Sequence, residues 1–126
     1  MWLEGSKVWT GGDVWEFVKS DYTGYYAGVS IPTGYKKLRV TITSCNTMGY
    51  NYPWKLKLDN LELGTVPYSS SGTTYTAELL LDFTNNTYVL SGDYDKSGTF
   101  TGTPVLFEVA GTGSRYKTME MYGVPA

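Results

Sequence analysis

The stretch CNTMGYNYPW, residues 45–54, places Tyr50, Tyr52 and Trp54 at every second position. In extended backbone, side chains two apart point the same way. Pro53 cannot donate to a sheet ladder, so the segment belongs to a loop or an edge. Three rings aligned on an exposed side would stack on the apolar C–H face of a sugar. Asn46 and Asn51 lie in the same loop. Their amides would take the sugar's hydroxyls, and this chemistry needs no His, no Cys and no metal. Tyr22, Tyr25 and Tyr26 flank Gly24 in a second loop and offer the same surface. The competing assignment is structural. Trp54 opens an alternating apolar strand and is a core candidate, while Tyr50 and Tyr52 could pack under their loop with wet hydroxyls.

Other chemistries have fewer residues to draw on. His is absent, which removes the commonest general base and the commonest metal ligand. Cys45 is the only cysteine, so neither an internal disulfide nor a CxxC motif can form. Placed after the strand-like TITS, it reads as a small buried residue and not as a nucleophile. Glu78, Glu108 and Glu120 alternate with apolar residues and are expected on solvated sheet faces, which argues against a paired-carboxylate glycosidase. DYDKSGTF, residues 93–100, resembles the first half of a calcium loop, with Asp93, Asp95 and Ser97 as ligands. Pro104 stands where the closing Glu should be. A β-turn with Gly98 at positive φ explains the stretch as well. No catalytic residue, cofactor or metal is assigned.

Composition sets the wider bounds. The 126 residues carry 10 basic and 12 acidic side chains, a net charge of −2. Lys36, Lys37, Arg39, Lys55 and Lys57 are too few and too balanced by acids to make a nucleic-acid groove. No basic membrane patch exists, and no apolar run reaches the roughly 18 residues of a membrane helix. Hydrophobic residues make up 41%, enough for a packed core. Twelve Tyr and 15 Gly suit strands joined by tight turns. The opening MWLEGSKVWTGGDVW lacks the apolar h-region of a signal peptide. Met1 stands directly before a Trp-rich stretch, which leads us to expect a domain excised from a longer protein.

These residues must be positioned by strands, because the apolar period is two almost throughout. LRVTIT (38–43) puts Leu38, Val40 and Ile42 on one face. WKLKLDNLELG (54–64) reads as a hairpin turning at Asp59-Asn60. TYTAELLLDFTNNTYVLSGDY (74–94) reads as a second hairpin turning at Thr84-Asn85-Asn86. DKSG (95–98) is read as a further tight turn. TPVLFEVAG (103–111) aligns Val105, Phe107 and Val109, and YKTMEMYGV (116–124) separates Met119 and Met121 from Glu120 and Tyr122. DVWEFVKS (13–20) and YYAGVSI (25–31) are strands around the loop DYTG, and alternation should bury at least one of Trp9 and Trp15. The prediction is one all-β domain over residues 1–126. About nine strands form a two-sheet antiparallel β-sandwich of jelly-roll type.

The order GYKKLRVTIT, LDFTNNTYVLSGDY, VLFEVAG and MEMYGV resembles the small jelly-roll domains of phage tail and appendage proteins and of carbohydrate-binding modules. The likeness is one of style and order over residues 13–124. It implies a non-catalytic domain on a virion or cell surface that binds a host glycan or surface receptor. The expected ligand-binding residues are Tyr50, Asn51, Tyr52, Trp54, Asn46, Tyr22, Tyr25 and Tyr26. The alternative is a structural or oligomerisation domain of a virion or surface fibre, with its tyrosines in protein contacts. A homo-oligomer is compatible with both.

Overall fold

A computed structural model describes residues 6–8, 13–22, 26–48 and 50–126. Its strands are β1 (Ser6–Val8), β2 (Val14–Asp21), β3 (Gly28–Ser30), β4 (Tyr35–Ser44), β5 (Trp54–Leu58), β6 (Leu61–Val66), β7 (Tyr75–Asp82), β8 (Thr87–Gly92), β9 (Lys96–Thr99), β10 (Leu106–Ala110) and β11 (Thr118–Pro125). Seven form one sheet in the order β1-β2-β11-β4-β7-β8-β9, and four form the other in the order β3-β10-β5-β6. Every strand pair is antiparallel.

The pairings are nested. β5 pairs with β6, β4 with β7, β3 with β10 and β2 with β11. That is one long hairpin. It is rolled up because β11 also pairs with β4 and β10 also pairs with β5. Among these eight nested strands the chain stays within one sheet only at the β5–β6 turn and otherwise crosses from sheet to sheet, which makes this a jelly roll. The β8–β9 hairpin extends the larger sheet beyond β7, and β1 extends it beyond β2.

Alternation builds the core. β4 buries Leu38, Val40 and Ile42, and β7 buries Ala77, Leu79 and Leu81. Opposite them β5 buries Trp54, Leu56 and Leu58, and β10 buries Phe107 and Val109. Burying one such side chain is worth about 1.5–3 kcal/mol before entropy is counted. Trp15 is also buried. Trp9 lies outside the described residues.

Two turns behave as their residues predict. Asp59 sits at φ 52 in the β5–β6 turn, and Asn86 at φ 55 in the β7–β8 turn. Both are residue types that tolerate left-handed backbone. Asp82 organises the second turn by accepting the N–H groups of Thr84 (2.9 Å) and Asn85 (3.1 Å).

Three expectations are corrected, namely the turn at DKSG, positive φ at Gly98 and the common face of Val105, Phe107 and Val109. DKSG is not a turn, since Lys96–Thr99 form β9. Positive φ falls on Gly92 (φ 87). Gly98 serves close approach instead, because a Cβ there would stand 2.9 Å from the Tyr88 hydroxyl. Val105 is exposed ahead of β10 and does not share the face of Phe107 and Val109. Leu61 is exposed at the β5–β6 turn, whereas Leu63 is buried beyond a register shift between Leu56 and Lys57.

Candidate functional site

The register fixes which loops meet. Ser44 at the end of β4 pairs with Tyr75 at the start of β7, and Thr43 pairs with Thr118 at the start of β11. Trp54 at the start of β5 pairs with Val66 at the end of β6. The connections 45–53, 67–74 and 111–117 therefore emerge at one end of the sandwich. The segment joining β2 to β3 arrives there too, because Asp21 pairs with Met119 and Gly28 with Glu108.

Asn46 fastens two of these loops together. Its Nδ2 donates to Val66 O at 3.1 Å, and its Oδ1 accepts the Met48 N–H at 3.3 Å. The Asn46 carbonyl accepts the Ser69 N–H at 2.8 Å, beside an isolated parallel bridge from Asn46 to Tyr68. Asn46 is 0% exposed. Its amide turns inward to backbone partners and is not presented at the surface, contrary to its assignment as a binding residue.

Trp54 is corrected in the same way. It is 0% exposed in the core. Its indole Nε1 donates to Thr112 O at 3.1 Å, which ties loop 111–117 to β5. A buried ring offers no face for stacking. Tyr50 and Tyr52 point into solvent instead, at 73% and 65% exposure, and Asn51 between them is exposed.

The ring beside Tyr50 is Tyr68, which sequence distance concealed. Their centroids lie 5.3 Å apart at 83°, an edge-to-face contact. Immediately after Tyr68, three hydroxyls converge. Ser69 Oγ lies 3.1 Å from Ser71 Oγ and 3.0 Å from Thr73 Oγ1, and it also accepts the Thr73 N–H at 3.0 Å. These residues belong to SSSGTT, 69–74. It folds into a hydroxyl cluster next to exposed rings. The only sequence signal was its density of Ser and Thr.

The second aromatic group is only partly as expected. Tyr22 and Tyr26 are exposed, and Tyr25 lies outside the described residues. The Tyr22 hydroxyl donates to Glu120 Oε2 at 3.4 Å. Tyr26 faces Tyr116 at 6.4 Å with the rings tilted by 31°. The Tyr116 hydroxyl donates to Asp21 Oδ2 at 3.1 Å. Burial and that carboxylate push the Tyr116 phenol up to about 12. A cleft of about 300 Å³ opens here between the β2 and β3 edges, lined by Lys19, Asp21, Tyr26, Ser30, Tyr116 and Met119. One loop touches both groups, since Arg115 Nη2 approaches Met48 Sδ at 3.2 Å while its neighbour Tyr116 meets Tyr26.

The acidic residues are occupied or separated. Glu78 Oε1 accepts from Arg39 at 2.6 Å and its Oε2 from Ser91 at 3.3 Å. Glu78 and Glu120 both pair with Thr41 from opposite sides. One strand lies between them, a backbone separation of about 9.5 Å at ordinary strand spacing. Asp93 Oδ2 accepts the Thr76 N–H at 2.7 Å, and Ser97 lies within β9. Among the described residues, no group of three or more His, Cys, Asp and Glu is placed to hold a metal ion.

No protein-family model matches this chain, and neither does any curated protein. Among solved structures it is similar to part of a sialidase, at 11% identity with a TM-score of 0.44. The match covers 95% of this chain and 16% of the sialidase chain.

Proposed function

We propose that this domain is a non-catalytic module that binds a saccharide of a cell surface through its loop end. The observation that carries the reading is the exposed pair Tyr50 and Tyr52, with Tyr50 set against Tyr68 beside the Ser69, Ser71 and Thr73 hydroxyls. Rings would take the C–H face of a sugar, while hydroxyls and the exposed Asn51 amide orient it. The surface is shallow, so single-site affinity would be weak, and avidity would come from several copies on a phage tail or surface fibre. Glycan binding by the purified domain, set beside a Tyr50→Ala, Tyr52→Ala variant, tests this. Binding that disappears in the folded variant supports the reading. Binding that survives moves the site to Tyr22 and Tyr26.

A second reading rests on a different face. Phe17, Tyr122, Arg39, Leu80 and Val89 occupy one cross-strand row on the seven-stranded sheet. Phe17 and Val89 in it are exposed. Such a row suits contact between subunits of a virion or fibre, the structural alternative. Sedimentation of the wild type and a Phe17→Ser, Val89→Ser variant separates the two, since an assembly domain would lose its oligomer and a lectin would keep its ligand.

A further inference from the structure

We propose a second binding site at the opposite end of the sandwich, for an uncharged ligand bearing several hydroxyls, one or two sugar rings in size. It does not rest on the aromatic loop end.

The connection from β9 to β10, residues 100–105, crosses that end from one sheet to the other. Between it and the β5–β6 turn lies a cleft of about 390 Å³, walled by Asn60, Leu61, Thr99, Phe100, Thr101 and Pro104. On the far side of the same connection is a cleft of about 220 Å³, reached by Tyr35, Phe83, Asn86 and Thr103 and sharing Pro104. The first falls within the roughly 300–1,000 Å³ of small-molecule sites. The second alone falls below it and serves as an adjoining subsite.

The lining sets the ligand class. Neither cleft is lined by Lys or Arg, and the only carboxylate is Asp59. That carboxylate is held in place by the chain, because its Oδ1 accepts the N–H groups of Val105 (3.1 Å) and Leu106 (3.0 Å). An anionic ligand would find no counter-ion, and burying an unpaired charge is costly. Phe100 faces one cleft and Phe83 the other, packed edge to face at 6.0 Å. These rings supply apolar surface, and Asn60, Asn86, Thr99, Thr101 and Thr103 supply amides and hydroxyls around it.

The site is also preformed. Besides the Asp59 bonds, Phe100 N donates to Asn86 O at 2.9 Å, and Ile31 N donates to Val105 O at 2.9 Å. Both ends of the connection are pinned, so little ordering cost falls on binding.

The test is an amide NMR titration with neutral disaccharides (lactose, maltose and cellobiose) and with glucuronate as the charged control. Three proteins are compared: the wild type, an Asn60→Ala, Asn86→Gly variant and the Tyr50→Ala, Tyr52→Ala variant. Glycine at 86 keeps the left-handed backbone. The expected result is saturable shifts at Thr101, Gly102 and Thr103 with at least one neutral sugar. They should persist in the tyrosine variant and weaken about tenfold in the asparagine variant. Four results would overturn the proposal: no shift there with any neutral sugar, equal affinity for glucuronate, indifference to the asparagine variant, or loss in the tyrosine variant. Failure at the loop end leaves these shifts in place, so the two readings fail separately.

Discussion

Replacing Asn46 with Ala removes the donor to Val66 O and the acceptor of the Met48 N–H inside a fully buried site. The expected cost is about 1–3 kcal/mol, because a buried carbonyl loses its partner. Denaturant unfolding measures it, and amide exchange in loops 45–53 and 67–74 should rise together. Trp54→Ala should cost about 3–5 kcal/mol as a large buried side chain. Tyr50→Ala, exposed at 73%, should stay within about 0.5 kcal/mol of wild type. The three substitutions lie within nine residues, yet they separate fold from surface. The type and spacing of Tyr50 and Tyr52 were legible in the sequence, and so was the alternative that Trp54 begins a core strand. The burial of Asn46 was not. Its partners Val66 and Ser69 lie some twenty residues along, and an Asn in an aromatic loop looks the same whether it faces sugar or backbone.

Strands carry a period that can be read directly, and turns do not. β4, β5, β7 and β11 stand where alternation puts them, because one face of each must be dry. The misreading at DKSG has a physical cause. Gly is used either for positive φ or for lack of a Cβ, and sequence does not separate the two uses. At Gly98 the second applies, against the buried Tyr88. Gly98→Ala should therefore overpack the β8–β9 pair and cost about 1–3 kcal/mol, read as a lower unfolding midpoint. Gly92→Ala should also destabilise, because φ 87 and the Thr76 carbonyl both oppose a Cβ. The hydroxyl cluster after Tyr68 is not legible in the sequence for a related reason, since convergence of Ser69, Ser71 and Thr73 depends on the path of the loop and on no period.

Nested pairing gives the molecule two loop ends of different character. One presents exposed rings and hydroxyls, and the other holds preformed clefts. Both depend on a framework whose charge pairs set its pH range. Asp13 is held below its ordinary 3.8 chiefly by the Lys37 ammonium, against some burial and with help from Lys36. Asp82 is also held below 3.8. Burial pushes it up, but hydrogen bonds from Asn85 and Thr84 and the Lys37 charge outweigh that. A depressed carboxyl contributes stability that is complete above its unfolded value and lost as pH falls through the folded one. Lys37 is raised above 10.5, chiefly by its hydrogen bond to Asp13. That contribution is present below 10.5 and lost as pH rises through the folded value. Tyr94 and Tyr116 are raised from 10.0 to about 12, so stability also falls between those values. Thermal unfolding should show a plateau from about pH 5 to 10 with losses on both sides. Lys37→Met should flatten the acid limb.

The proposed function stands or falls on contact between a sugar and the rings of loop 45–53. The direct measurement is glycan binding by the wild type and by the Tyr50→Ala, Tyr52→Ala variant, with both shown to be equally folded. Weak, saturable binding to at least one cell-surface glycan is expected, falling at least about tenfold in the variant, in keeping with the loss of two stacking rings. Unchanged binding in the folded variant would contradict it, and so would no binding to any glycan by a wild type presented in several copies.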